Sequence, residues 1–274
     1  MIPTLSQLCS LNCPFEKNIE DYSAAHCHSI ELWLTKLEDF LETHSLSDAA
    51  NLLERAEVAA NVASYQGGLL TSHGAARQAA WDLFERRLGL CADLRVRTLV
   101  VACDVVSPIG EPDIELLKAS LREIACRAEA RQVRIALEFQ ARSTIGNNLQ
   151  TAIAFVDEIG SPWLGIDLDV FHFYVGPSKM SDMQWLTNDN LFHVQLSDLV
   201  GVPRELATDA DRVVPGDGDF LLAPIVDHLQ AIGYSGCVSM ELMNPRLWNV
   251  PARQFGEIAI TALRKLLGQA DMGR

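Results

Sequence analysis

The sequence predicts an α/β fold, a closed (β/α)8 barrel forming a single domain over residues 1–274, and three observations carry that expectation. Short apolar runs rich in Val, Ile and Leu alternate along the chain with longer amphipathic stretches of helical spacing, the pattern of parallel strands joined by crossover helices. Eight such runs fit into 274 residues, close to the roughly 250 that a barrel of this kind uses. An open doubly wound sheet would place a glycine-rich phosphate turn after its first strand. Here Leu8 is followed by Cys9, Ser10, Leu11, Asn12 and Cys13, and neither GxGxxG nor GxxxxGK[ST] occurs.

In chain order the strands are expected at residues 4–8 (TLSQL), 29–34 (SIELWL), 58–64 (VAANVAS), 96–103 (VRTLVVAC), 133–139 (VRIALEF), 164–169 (LGIDLD), 191–196 (LFHVQL) and 237–242 (CVSMEL). Helices are expected between them, among them 75–90, 115–131, 148–159, 221–232 and 252–267, where apolar residues recur at helical spacing. No Ser/Gly-rich linker and no low-complexity segment divides the series.

Twenty-two Lys and Arg stand against 36 Asp and Glu, a formal charge of −14. Such a chain is poorly suited to track a phosphate backbone or an anionic bilayer, so neither nucleic acid nor membrane is expected as a partner. Hydrophobic residues make up 49%, enough for a packed core, yet no run approaches the roughly 20 apolar residues of a bilayer span. Residues 1–11 lack the basic, apolar, small-residue order of a secretory signal. The seven cysteines are scattered without a CxxC pair. Reduced thiols in a cytoplasmic protein are the expectation, and a soft thiolate metal cluster is disfavoured.

Chemistry in such barrels sits at the C-terminal strand ends, so polar residues that interrupt an apolar run as it closes are informative. Glu138 ends the fifth run. Asp167, Asp169 and His172 mark the sixth, His193 and Gln195 share one face of the seventh by its two-residue period, and Glu241 closes the eighth. Any one of these could be a strand-end carboxylate satisfied by loop amides. Several aimed at one lumen favour a cation, because buried carboxylates are costly unless paired or metal-bound. Carboxylate oxygens with an amide oxygen suit Mg2+ or Mn2+, and a histidine in the set would suit Zn2+ or Co2+.

These residues resemble the xylose isomerase-like TIM barrel family, which holds sugar isomerases and epimerases, inosose-metabolising enzymes, dehydroshikimate dehydratases and AP endonucleases. The resemblance rests on Glu138, the DxxH of Asp169 to His172, the HxQLSD of His193 to Asp198, the RxxPGDGD of Arg212 to Asp219, the GYxGxxSxE of Gly233 to Glu241, and IELWL at Ile30 to Leu34. It implies one divalent metal held by Glu138, Asp169, Gln195 and Glu241. Many epimerase-like members carry histidine where Gln195 stands, and the glutamine looks like the dehydratase branch; His193, two residues earlier, is the rival ligand. His172 is implied in substrate binding or proton handling, and Arg212 in contact with a hydroxyl, carboxylate or oxyanion, with a solvated loop arginine as the other reading. The glycines after Arg212 are read as allowing close approach to a ligand.

Glu31 and Trp33 on the second strand, and Gln66 with Gly67 and Gly68 after the third, fall where substrate-contacting loops are expected, although Trp33 could equally be core packing. Asp167 shares the facing of Asp169 and is expected to support it. His26, His28 and His73 read as loop residues, and His44 and His228 as helix-surface residues. Glu54, Glu57, Glu115 and Glu129 read as solvated helix faces. The implied activity is metal-dependent isomerisation or epimerisation of a small sugar-like hydroxy-ketone. A proton would leave the carbon beside a chelated carbonyl to give an enediolate, with Glu138 and Glu241 exchanging protons on two faces. The alternative is a lyase of the dehydroshikimate dehydratase kind; a nuclease and a non-catalytic sugar-binding barrel rank behind it. A homo-oligomer is implied by the resemblance alone.

Overall fold

The computed structural model describes residues 1–270. Eight strands close into a barrel in chain order: β1 (Ile2–Ser6), β2 (Ser29–Trp33), β3 (Ala59–Gln66), β4 (Thr98–Cys103), β5 (Arg134–Phe139), β6 (Leu164–Asp169), β7 (Leu191–Leu196) and β8 (Cys237–Met240). Around them run α1 (Phe15–Ala24), α2 (Leu34–Leu41), α3 (Leu46–Arg55), α4 (Gly74–Asp93), α5 (Glu111–Arg131), α6 (Leu149–Ile159), α7 (Val170–Val175), α8 (Leu222–Ala231) and α9 (Ala252–Leu266). Every expected strand is present.

Several ends differ from the sequence reading, for local reasons. The first strand stops at Ser6 rather than Leu8 because the Ser6 hydroxyl accepts from Leu8 N at 3.3 Å and turns Gln7–Ser10 into a 3-10 helix. β3 runs on to Gln66, which is therefore a strand-end residue rather than a loop one. α1, α2, α3 and α7 lie outside the helical stretches named from the sequence, being short segments of 6 to 10 residues.

The chain falls into two compact units, Met1–Val62 with the chain from Val194 onward, and Ala63–His193. In the first, β1 pairs in parallel with β2 (Ser6 opposite Glu31) and with β8 (Leu5 opposite Met240), and β7 pairs with β8 (Gln195 opposite Ser239). In the second, β4 pairs with β5 (Ala102 opposite Glu138) and β5 with β6 (Glu138 opposite Asp167). All six residues of β4 are buried, as is usual for a parallel strand covered on both faces.

Helix ends follow capping chemistry. Ser45 and Asp48 cap α3 reciprocally, Asp48 N donating to Ser45 Oγ at 3.2 Å and Ser45 N to Asp48 Oδ2 at 2.8 Å. Asn148 Oδ1 accepts from Thr151 N at 2.9 Å to start α6, which ends at Gly160 with φ +63°. All seven cysteines are among the described residues and none is joined in a disulfide. No helix among the described residues is long and apolar enough to cross a membrane.

Candidate active site

In the Ala63–His193 unit the sixth strand passes directly into a helix, and Asp169 is both the last residue of β6 and the cap of α7. Its Oδ1 accepts from Phe171 N at 2.7 Å. That cap fixes the first turn of α7, which carries His172 over the strand end. His172 Nε2 lies 3.8 Å from Asp169 Oδ2 and 3.8 Å from Glu138 Oε1. Glu138 is steadied through its other oxygen, Oε2, by Gln140 Nε2 at 2.9 Å.

The three ligand atoms fall within 4.8 Å of one another, and all three residues are buried. Separations of 3.8 Å are too long for hydrogen bonds. They fall between the about 3.0 Å of neighbouring ligands and the about 4.2 Å of opposite ones around an ion bound at about 2.1 Å.

The other unit presents a different arrangement. Gln195 Nε2 donates to Glu31 Oε1 and to Glu241 Oε1, both at 2.9 Å, which fixes the orientation of the amide. Gln195 Oε1 is buried and has no hydrogen-bond partner. An amide oxygen left bare beside two carboxylates is a donor atom suited to a hard cation. Glu31 is fully buried on β2, and Glu241 is the first residue beyond β8.

Arg212 is resolved as a buried ion-pairing residue, 1% exposed, rather than a solvated one. Its Nη1 meets Glu241 Oε2 at 3.1 Å while Nε and Nη2 meet Asp209 Oδ1 at 3.0 and 2.7 Å. Cys9 brackets Glu241 from behind, its Sγ accepting from Leu242 N at 3.2 Å and donating to Met240 O at 3.3 Å. Burial raises that thiol well above its usual range, so it serves as a neutral hydrogen-bonding group.

Of the glycines after Arg212, Gly218 closes against a partner inside the protein, while Gly216 has open space beside it. Asp198 Oδ1 accepts from Leu199 N and Phe220 N, and its Oδ2 from Gly216 N, at 2.9 to 3.0 Å. A Cβ on Gly218 would run into the Asp198 carboxylate and sit 2.5 Å from Leu199 O, and Gly216 has φ +96°. The PGDGD turn is thus folded around Asp198, and the Asp198–Val213 bridge holds the segment bearing Arg212.

Of the remaining candidates, His193 is fully buried in β7 and Asp167 fully buried in β6. Trp33 is half-buried and lines a cavity of about 490 Å3 with Cys13, Lys36 and Phe40. Gln66 is 2% exposed, and its Nε2 donates to Gly67 O at 2.7 Å. His26, His28, His44 and His73 are exposed, and His228 is half-buried on α8. Asp104 was missed in the sequence, although an acid directly after the apolar run of β4 is the same signal that marked Glu138. Its Oδ2 accepts from Gly68 N at 2.7 Å, and burial raises its carboxyl above the usual range.

The fold is a closed parallel (β/α)8 barrel, and Glu138, Asp169 and His172 form a buried trio able to hold a metal ion. The family model for the xylose isomerase-like TIM barrel matches residues 19–266, and the chain belongs to that family. It is 27% identical over 226 residues to an inosose isomerase of Bacillus velezensis, covering 81% of this chain and 80% of that one. It is 30% identical over 188 residues to a 3-dehydroshikimate dehydratase of Pseudomonas putida, covering 68% of this chain but 29% of that one. Across the inosose isomerases it matches, the chain spans between 48% and 80% of their length. Among solved structures, the crystal structure of an IOLI protein with a binding zinc atom superimposes with a TM-score of 0.90 at 23% identity, covering 98% of this chain and 99% of that one.

Proposed function

We propose that the protein is a divalent-metal-dependent isomerase or epimerase of a small sugar-like hydroxy-ketone. The observation that carries this reading is the gathering of Glu138 Oε1, Asp169 Oδ2 and His172 Nε2 within 4.8 Å, each held by its own strand or helix end. Glu138 and Asp169 would hold the ion. Gln195, through its bare Oε1, and Glu241 are carried into the ligand set by the resemblance. The donor set is mainly oxygen, which fits Mn2+ or Mg2+, and His172 nearby leaves room for Zn2+ or Co2+. A bound divalent ion would polarise the substrate carbonyl and offset the negative charge that develops on its oxygen.

The chain's own residues would do the rest. Glu138, steadied by Gln140, would accept the proton from the carbon beside the carbonyl, and Glu241, protonated from solvent, would return one to the neighbouring or opposite position, Glu138 then losing its proton to solvent. His172 would bind a substrate hydroxyl. Arg212, held by Glu241 and Asp209, would face a substrate oxygen. The family match over residues 19–266 supports reading residues 1–274 as one such domain. The inosose isomerase relative, matched over four fifths of each chain, favours isomerisation over the dehydratase.

The test is deuterium incorporation by NMR in D2O with Mn2+ or Mg2+, using inosose, D-psicose and 3-dehydroshikimate. Exchange beside the carbonyl of inosose or psicose, lost on adding a chelator, is the expected result. Water loss from 3-dehydroshikimate to an aromatic product, with no exchange in the other two, would replace the isomerase by the lyase.

A further inference from the structure

The last residue of β3 and the first residue after β4 hold two polar side chains that no step above uses in full. Gln66 is 2% exposed, and its Nε2 donates to Gly67 O at 2.7 Å, which aims Oε1 away from that carbonyl. Oε1 is buried with no hydrogen-bond partner. One residue further on, Gly68 N donates to Asp104 Oδ2 at 2.7 Å, and a Cβ on Gly67 would lie 2.6 Å from the same oxygen. The glycine pair therefore lets the carboxylate close against the turn. Tyr65 O is tied down by Arg87 Nη1 at 2.7 Å, so the segment is braced from the helix side as well.

The atoms this pair has left are mainly acceptors, the Gln66 amide oxygen and the Asp104 carboxylate, against one further N–H on Gln66, so the chemistry it recognises is a set of hydroxyl donors, and it repels an anion. Its place relative to the reaction follows from the register. Asp104 lies two residues beyond Ala102, the partner of Glu138 on the neighbouring strand. That puts it about 4.8 Å sideways and about 6.6 Å further along the strand direction from Glu138, within the span of one six-carbon polyhydroxy molecule. Cys103, between Ala102 and Asp104 in the chain, has its thiol pushed up to about 12 by burial first and then by the charges of Asp104 and Glu138.

We propose that Asp104 and Gln66 form a hydroxyl-binding subsite that takes the uncharged polyol end of the substrate and discriminates against a ring that carries a carboxylate. The inference rests on the hydroxy-ketone reading for its substrate and extends it by naming what selects that substrate. Asp104 accepts hydrogen bonds from one or two hydroxyls while Gly68 N holds its other oxygen, and Gln66 Oε1 accepts from the next.

The experiment measures binding without turnover, using myo-inositol, which has the hydroxyls and no carbonyl, and shikimate, a hydroxylated ring with one carboxylate. Both are titrated by NMR saturation transfer and calorimetry into the Mg2+-loaded protein, the Asp104→Asn variant and the Gln66→Met variant. Wild type should prefer myo-inositol. Asp104→Asn should weaken myo-inositol by about tenfold, the size of a lost charged hydrogen bond, and should strengthen shikimate, because the anion is gone. A residue that merely clasps Gly68 would not move that preference. Should Gln66→Met fail to fold, Asp104→Asn decides alone.

Dissociation constants in Asp104→Asn within about twofold of wild type for both probes, or a wild-type preference for shikimate, would overturn the subsite. Turnover of inosose together with an unchanged preference in Asp104→Asn removes the subsite and keeps the isomerase. A preference lost in Asp104→Asn, with no exchange of any hydroxy-ketone, keeps the subsite and removes the isomerase.

Discussion

In the Ala63–His193 unit, Glu138 and Asp169 are each steadied through one oxygen by a neutral donor, Gln140 Nε2 or Phe171 N, and turn the other toward His172. In the remaining unit Glu241 meets a guanidinium, Arg212 Nη1 at 3.1 Å, and an amide, Gln195 Nε2 at 2.9 Å. The same residue type is buried in both places, at 5% and 6% exposure, so burial alone does not distinguish a metal ligand. What differs is the charge supplied by the protein. Beside Glu241 an arginine is built in, and it offsets part of the charge that Glu241, Glu31 and Asp209 bring. Glu138 and Asp169, bonded by an amide and a backbone N–H, lie with His172 in a group whose carboxylates an added cation would offset.

The largest effect tests the first unit. Glu138→Gln and Asp169→Asn should lower the metal-dependent exchange rate by about 10^3-fold or more, since both the ion and its charge are lost. Metal affinity should fall with it, read by calorimetric titration of Mn2+. Without metal, these two variants should melt no lower than wild type, because each substitution removes one of two neighbouring like charges. A melting temperature that drops in the absence of metal would erase the contrast between the units.

Glu241→Gln should behave the other way. Removing the carboxylate beside Arg212 Nη1 leaves a guanidinium of 1% exposure short of a buried partner. Breaking such a pair costs about 3 to 5 kcal/mol, to be read in urea or thermal unfolding without metal. Its metal affinity should fall less than that of Glu138→Gln, because both oxygens of Glu241 already accept from Arg212 and Gln195. Equal loss of metal binding in the two variants would make Glu241 a ligand of the same rank.

Lys36 sharpens the comparison from the opposite sign, being a buried ammonium with neutral acceptors: Gln7 O at 3.3 Å, Ser10 O at 2.9 Å and Asn18 Oδ1 at 3.0 Å. Burial lowers its pKa from 10.5 to about 8. Between about pH 8 and 10.5 the unfolded chain therefore holds a proton that the folded protein has released, and stability rises with pH through that window. Measured against Lys36→Met, wild type should gain at most about 3 kcal/mol from pH 8 to 10.5. The difference between the two proteins isolates Lys36 from the buried thiols Cys27 and Cys91, raised to about 11 and about 12, which act in the opposite direction. A flat difference would mean that the three oxygens stabilise the charged form fully.

The barrel was legible because apolar runs and helical periodicity are local signals, and Glu138, Asp169 and Glu241 stood out as charges closing such runs. Gln195 was legible only as a departure from a pattern; its bare oxygen depends on Glu31 and Glu241, which lie 164 and 46 residues away along the chain. Cys9 gave no sign of bracketing Glu241, since its partners lie 231 and 233 residues on. Asp104 carried the right local signal, but its meaning needs Gly68 N, which only the folded turn supplies. Residues whose role is set by a distant partner were hidden, and those whose role is set by position on a strand were not.

The smallest expected effect concerns the turn that carries Arg212. In the sequence, Gly216 and Gly218 suggested space for a ligand, and in the structure the space at Gly218 is filled by Asp198 while that at Gly216 is open. An added methyl at Gly218 must displace either the Asp198 carboxylate or the backbone at Leu199, and overpacking of this kind costs about 2 kcal/mol. Because Asp198 bridges Val213, the residue after Arg212, the displacement should also shift the guanidinium from Glu241. Gly218→Ala should therefore lower kcat while Mn2+ affinity stays within about twofold of wild type, since the oxygens around His172 are held by Gln140 and the α7 cap. Loss of Mn2+ binding in this variant would show that the two carboxylate arrangements act as one cluster, and the division by built-in charge would have to be given up.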